Sequence, residues 1–248
     1  METVTRSIEY AIRLGQQPSP VLLAGPPGCG KTSYATRLAR HLGAELIYHM
    51  LHSWSDDQEL YCGVDIRAAV AGEADQVRQP GVLAVAAEAS QSGLTVLCLD
   101  EIDKAPDRVE YLLLDYLETG RVPIRPGQFL VADRTKLIVV MTTNDVRPLS
   151  DALLRRCRRV RMQPIQLDRL IEIVAAERPQ LPIGMIRLIA RSAQELASAD
   201  QASLTVPELR ALVDDCAFLA RSHHEVREYL AQWAVRGEEG RSRAAKAQ

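Results

Sequence analysis

Four short apolar runs punctuate the first two-thirds of the chain: PVLLAG (20–25), AELIYHM (44–50), TVLCLD (95–100) and KLIVVMTT (136–143). The first, third and fourth are short, continuous and closed by a glycine or a polar residue, the pattern of a strand buried on both faces, and AELIYHM is a further strand candidate. Between them the apolar spacing changes to that of a helix. Tyr34, Ala35, Leu38 and Leu42 share one face after Lys31, and Val109, Leu112, Leu113, Tyr116 and Leu117 share another. Residues 53–78 are polar and irregular, and a helix resumes at Pro80, a residue suited to a first helical turn. Strands alternating with helices predict a parallel sheet covered on both sides, because parallel neighbours need a crossover that packs back onto the sheet.

The pattern changes at MQPIQL (162–167), beyond which the spacing is helical throughout. Leu167, Leu170, Ile171, Val174 and Ala175 form one stripe ended by Pro179, and PIGMIRLIARSAQELA forms a second. Thr205 and Glu208 have the spacing of a capping box, opening a third helix with Leu209, Leu212, Val213 and Cys216 on one face. A fourth helix is expected from His223 to Val235, and RGEEGRSRAAKAQ has no apolar face. The expected organisation is an α/β core over 1–163, a small helical domain over 164–235 and a flexible tail over 236–248.

Composition narrows the functional classes. With 248 residues, 47% of them hydrophobic and 25% charged, the chain can bury a substantial core. A formal net charge of −2 argues against binding DNA or an anionic membrane by general charge, so any basic surface is local. Five scattered cysteines without a CxxC pair fit a reducing compartment and exclude a disulfide framework or a zinc site. The beginning, METVTRSIEYAIRLG, lacks a signal-type apolar segment, and no run approaches a membrane span, so a soluble, cytoplasmic protein is expected. His41, His49, His52, His223 and His224 show no ligand spacing backed by carboxylates or thiols, and Trp54 and Trp233 read as packing residues.

Three strand ends carry the candidate chemistry. GPPGCGKT, residues 25–32, satisfies G-x-x-x-x-G-K-[ST] between a buried strand and a helix start, where the pattern has its mechanism. The N–H groups of Gly25, Pro26–Pro27–Gly28–Cys29, Gly30 and the helix start through Ser33 (the prolines excepted) can close around phosphate oxygens, Lys31 can reach the β and γ phosphates of ATP, and Thr32 can ligand Mg²⁺. Cys29 fills a free position of the pattern. VLCLDEID ends the third apolar run in acid. Asp100 is the second candidate for magnesium and Glu101 the candidate for polarising a water aimed at the γ phosphate, which favours hydrolysis over a kinase reaction. IVVMTTND ends the fourth run in Asn144, which at the end of a neighbouring parallel strand can orient that water or serve as a turn residue.

The order GPPGCGKT, LDEID, MTTN, ALLRRC resembles the AAA+ ATPases, with Walker A, Walker B, sensor 1 and arginine-finger regions in sequence over residues 18–163. LHSWSDDQELYCGVDI and ETGRVPIRPGQFLVADRTKLIVVMTTN resemble the MoxR and dynein-related branch, the latter its hairpin before sensor 1. The resemblance implies a P-loop sheet with a helical lid, a ring oligomer of hexameric type, and remodelling of a separately encoded protein client or adaptor. It also gives a role to part of ALLRRCRRVR, where five arginines fall between Arg155 and Arg161. Arg156, or alternatively Arg155, would enter a neighbour's nucleotide site, while the alternation Arg159, Val160, Arg161, Met162 reads as a half-buried strand. At the expected sensor 2 position the chain has LTVPELRAL, leaving Arg210 as the only nearby substitute. Tyr61 in ELYCGVD is either a polypeptide-gripping pore residue or a packed aromatic. Two other classes stay open: a nucleic-acid-associated ATPase, and a nucleotide-gated scaffold that hydrolyses little.

Overall fold

In the computed structural model, five parallel strands follow the order β2-β5-β8-β1-β9: β1 Val21–Ala24, β2 Glu45–Met50, β5 Thr95–Asp100, β8 Leu137–Thr143 and β9 Arg158–Arg161. The structure describes residues 1–64, 78–125, 127–199, 203–219, 225–226 and 228–230. All residues of β5 and β8 are buried, whereas β2, at the sheet edge, alternates between exposed and half-buried. Continuous apolar runs therefore mark the strands covered on both faces.

The pleat divides these runs between two cores. Val96, Cys98, Ile138 and Val140 pack on one side with Val4 and Ile8 of helix α1 (Glu2–Arg13) and Tyr34 and Leu38 of α2 (Lys31–Leu42). Leu97, Leu99 and Met141 pack on the other with Leu83 and Ala87 of α4 (Val82–Ser92) and Val109 and Leu113 of α5 (Asp107–Thr119). Leu113 is fully buried. Leu113→Ala is expected to cost about 2–5 kcal/mol of stability in the α/β unit through the cavity it leaves, measured as a lower denaturant midpoint.

Two antiparallel hairpins flank the sheet: β3 (Cys62–Val64) with β4 (Arg78–Pro80), and β6 (Arg121–Arg125) with β7 (Gln128–Val131), where the family resemblance implies one. Pro80 ends β4 rather than opening a helix. The helix starts at Val82 behind Gly81, where a side chain would run into the Leu60 and Glu59 backbone. Trp54 is 83% exposed rather than packed, because its loop after β2 buries Leu51 and Ser55 instead. Tyr61, after the one-turn helix α3 (Asp57–Leu60), is the packed aromatic and not a pore residue presented to solvent. It is buried, its hydroxyl donates to Leu112 O at 3.0 Å, and burial pushes the phenol up to about 12.

The chain divides into an α/β unit, Met1–Pro26 with Gly30–Met162, and a second unit made of Pro27–Cys29 and the helical part of the chain from Gln163 onward. In the latter, α7 (Leu167–Glu177), α8 (Ile183–Ala199) and α9 (Val206–Leu219) enclose Leu170, Val174, Ile186, Ile189, Leu209 and Leu212. Glu208 accepts from Thr205 N at 2.9 Å and from the Thr205 hydroxyl at 2.7 Å, closing the entry to α9. The helix expected over His223 to Val235 lies outside the described residues apart from 225–226 and 228–230, and the tail over 236–248, with Trp233, lies outside them altogether. Among the described residues no helix is long and apolar enough to cross a membrane.

Candidate nucleotide site

The glycine-rich loop leaves β1 and enters α2 through two residues in the left-handed region, Gly28 (φ 76°) and Gly30 (φ 91°). Side-chain-bearing residues adopt that region at a cost, so these glycines let the loop fold back over the helix start. The first turn of α2 carries no acidic residue, and its N–H groups are available to an anion. Cys29 is buried and Ser33 exposed.

Lys31 is only 7% exposed, and its ammonium is held by Gly25 O (2.8 Å), Pro26 O (2.9 Å) and Asn144 Oδ1 (2.7 Å). Asn144, at the end of β8, turns its other amide atom to the next strand, where Nδ2 donates to Glu101 Oε1 at 3.1 Å. The orientation follows from chemistry: lysine only donates and a carboxylate accepts, so one amide serves both by facing them in this sense alone. The strand-end residues that the sequence singled out thus form one line, Lys31–Asn144–Glu101.

Glu101 is one of two described non-glycine residues with positive φ (58°), the other being Asp145 in the loop after Asn144 (58°). A left-handed glutamate at a strand end is a strained placement, of the kind that accumulates at functional sites. Its backbone N–H donates to Thr142 Oγ1 at 3.0 Å, and its second carboxylate oxygen meets Lys104 Nζ at 2.5 Å.

Asp100 sits beside Thr32, whose hydroxyl is 2.9 Å and 3.1 Å from the two carboxylate oxygens. Thr142 and Tyr48 donate to it as well, Tyr48 at 3.0 Å. Burial first, then the carboxylate, push the Tyr48 phenol up to about 12, so it stays a donor. An all-oxygen pair of hydroxyl and carboxylate next to a phosphate loop fits Mg²⁺, which takes few protein ligands beside phosphate oxygens. Sequence reading missed Tyr48 and Thr142; the signal for Tyr48 is register, since it pairs with Cys98, two residues before Asp100. It also missed Asp103, which is buried and accepts from Asn144 N (3.2 Å) and Val146 N (2.9 Å), fixing the sensor loop to the segment after Glu101.

Two further candidates lie on a short helix of the α/β unit and one in the helical unit. Arg155 and Arg156 are exposed on the short helix α6 (Asp151–Arg156), and Arg156 pairs with Glu118 through Nε (3.1 Å) and Nη2 (2.5 Å) while Nη1 donates to Ala152 O. In the helical unit, Arg210 is paired with Glu177 at 2.7 and 2.8 Å. The histidines do meet carboxylates: His49 and His52 face Glu59 Oε1 at 3.0 and 3.3 Å, and His41 faces Glu9 at 2.6 Å. His52 Nδ1 accepts from Trp54 N, which leaves the Nε2 hydrogen for Glu59. Among the described residues no three His, Cys, Asp or Glu side chains group so as to hold a metal.

The chain is similar to the peroxisomal Lon protease homolog 2 of Pichia angusta, 31% identical over 154 residues that cover 59% of this chain and 15% of that protein. It is also similar to the ClpA homolog protein of Fuscovulum blasticum, 29% identical over 148 residues, 58% of this chain and 18% of that one. It thus spans under a fifth of the length of either relative. Among solved structures, the Thermotoga maritima RuvB Holliday junction branch migration motor shares the fold, with a TM-score of 0.56 at 19% identity, over 93% of this chain and 67% of that one. The sequence profile of the AAA domain, dynein-related subfamily, matches residues 20–157, more than half of the chain and every element of the line just described. A P-loop, its acidic partner strand and a sensor strand joined by direct side-chain contacts, on a sheet of this order and under this profile, mean that the chain belongs to the nucleotide-binding AAA domain family, in its dynein-related subfamily.

Proposed function

We propose that the chain hydrolyses ATP, with Mg²⁺, as one subunit of a hexameric ring of MoxR-like type, and uses the cycle to remodel a separately encoded protein partner. The observation that carries this reading is the Asn144 amide bridging Lys31 and Glu101, because an ammonium suited to phosphate and a carboxylate suited to polarising water then meet the two ends of one side chain. Lys31 and the loop N–H groups hold the β and γ phosphates. Thr32 and Asp100 would hold the ion, which when bound supplies positive charge against the phosphates. Glu101 takes up the proton of the attacking water, and Asn144 keeps that carboxylate oriented.

The arginines of α6 are exposed at the surface, and among the described residues Arg156 is engaged by Glu118 and Ala152 O, which supports a reading in which it acts across an interface. Arg156 is held by an exposed ion pair with Glu118, of a kind too weak to compete with a phosphoryl group. In a closed ring, one face of each subunit meets a different face of the next, so an edge arginine is offered to a neighbour's site. Arg155, the other candidate, is likewise exposed.

The test mixes two variants that are inactive alone, Glu101→Gln and Arg156→Ala. In a random equal mixture about one interface in four pairs an intact Glu101 with an intact Arg156, because each is present with even odds in a heterologous ring. Mixtures that recover turnover support the ring. Full activity of Arg156→Ala as a monomer overturns it, and stimulation of turnover by DNA or RNA moves the reading to a nucleic-acid-associated ATPase.

A further inference from the structure

Glu110 lies in the first turn of α5, outside every nucleotide motif, and its side chain is 4% exposed. Its two oxygens face different parts of the chain. Oε2 accepts from Ser150 N at 2.9 Å, and Oε1 stands 2.6 Å from Arg147 Nη1. Arg147 is in turn bound back to the segment following Glu101, donating from Nη2 to Ala105 O at 2.7 Å, with Asp107 3.3 Å from Nη1. Burial alone raises the carboxyl, but the Ser150 hydrogen bonds and the Arg147 guanidinium outweigh it and hold Glu110 below the ordinary glutamate value. A buried carboxylate so compensated is an anchor, costly to remove.

What it anchors is the connection between Asn144 and the arginine helix. The loop from Asn144 to Ser150 is pinned at its near end by Asp103, through Asn144 N and Val146 N, and at its far end by Glu110, through Arg147 and Ser150. Ser150 is the N-cap of α6, its hydroxyl accepting from Leu153 N. Helix α6 has six residues, too few to hold a direction by itself. Its aim depends on its attachments, among them the buried Leu153 and the clamp on its first residues. The segment that carries Glu101 therefore also sets the base of the helix that carries Arg156.

We propose that Glu110 is a positioning residue for the arginine finger: it acts through Ser150 and Arg147 to aim Arg156 at the neighbouring subunit, and leaves its own subunit's nucleotide binding untouched. This rests on the ring reading above. Glu110→Gln keeps an acceptor for Ser150 N and removes the charge opposite Arg147. It is expected to lower kcat about 10- to 100-fold, the scale of a misplacement near 1 Å, with KM for ATP and nucleotide affinity within twofold of the parent. The double variant Glu110→Gln with Arg147→Gln, which leaves no buried charge unpaired, only the exposed Asp107, is expected to behave alike. The distinguishing readout is mixing. Because the defect is in the donated arginine, Glu110→Gln subunits should recover turnover when mixed with Glu101→Gln subunits, as Arg156→Ala subunits do. Recovery with Arg156→Ala but not with either Glu110 variant overturns the assignment while sparing the ring, and so does loss of nucleotide binding in both variants or full activity of both. Failure of both mixtures overturns the ring reading and the assignment with it.

Discussion

Glu101→Gln is expected to lower ATP turnover about a hundred- to ten-thousandfold, the range supplied by a positioned proton acceptor, while nucleotide affinity stays within a few-fold of the parent. The substitution is nearly isosteric. A glutamine at this position keeps an amide oxygen for Asn144 Nδ2, now 3.1 Å from Glu101 Oε1, and still permits the backbone hydrogen bond to Thr142. It loses the ability to take a proton from water and the ion pair with Lys104. Since the proposed phosphate contacts come from Lys31 and the loop, binding and turnover should separate. Measuring nucleotide affinity by titration and phosphate release on the same preparation checks both halves. Unchanged turnover would leave the scaffold reading standing, because a nucleotide-gated protein needs the loop and not the carboxylate.

Lys31→Met is expected to fail earlier, at binding. The ammonium is nearly enclosed, and it is aimed by two loop carbonyls and Asn144 at the opening of the loop. A charge-assisted hydrogen bond contributes about 1.5–3 kcal/mol, so losing one or two to phosphate weakens affinity by about a hundredfold. Methionine fills the stem of the side chain but leaves three acceptors without their donor, so the unliganded loop is disturbed as well. Titration with a fluorescent nucleotide reads the effect directly. An affinity within threefold of the parent would mean that Lys31 serves the loop's own structure and that the phosphates are held by N–H groups alone.

The parts of the fold that were legible are those in which one physical rule acts alone. The strands β1, β5 and β8 and the helix Lys31–Leu42 were readable because full burial leaves no alternation to confuse, and because glycines mark both ends of the helix. Helix α1 was not read as structure, since Val4, Ile8 and Ile12 are a thin stripe in a polar segment; they bury because Tyr34 and Leu38 offer a surface that the sequence does not display. The helix start at Pro80 was misplaced because a proline opens helices and closes hairpins equally well, and the close approach of Gly81 to the Leu60 backbone decides between them.

Within the site, residues with a motif were readable and residues positioned by register were not. Tyr48 and Thr142 reach Asp100 only because β2, β5 and β8 are neighbours in the sheet. Glu110 with Arg147, and Glu118 with Arg156, join elements 37 and 38 residues apart, and no periodicity carries such a pairing. The histidines illustrate the same limit, since the carboxylate that faces His49 and His52 comes from a separate one-turn helix.

The strand β9 gives the basic run a second meaning. Its residues Arg158, Arg159 and Arg161 are exposed, Val160 is half-buried, and its outer side ends the sheet. The rim of a parallel sheet offers unsatisfied amides and carbonyls onto which another chain can zip, and closely spaced guanidinium groups oppose that approach by repelling a second copy of themselves. A subunit of the proposed ring, joining its own kind at one surface, needs to be kept from joining it at another. On the ring reading proposed above, ALLRRCRRVR thus divides between two opposite tasks within ten residues: its first half would serve orderly self-association, and its second half opposes the fibrous kind.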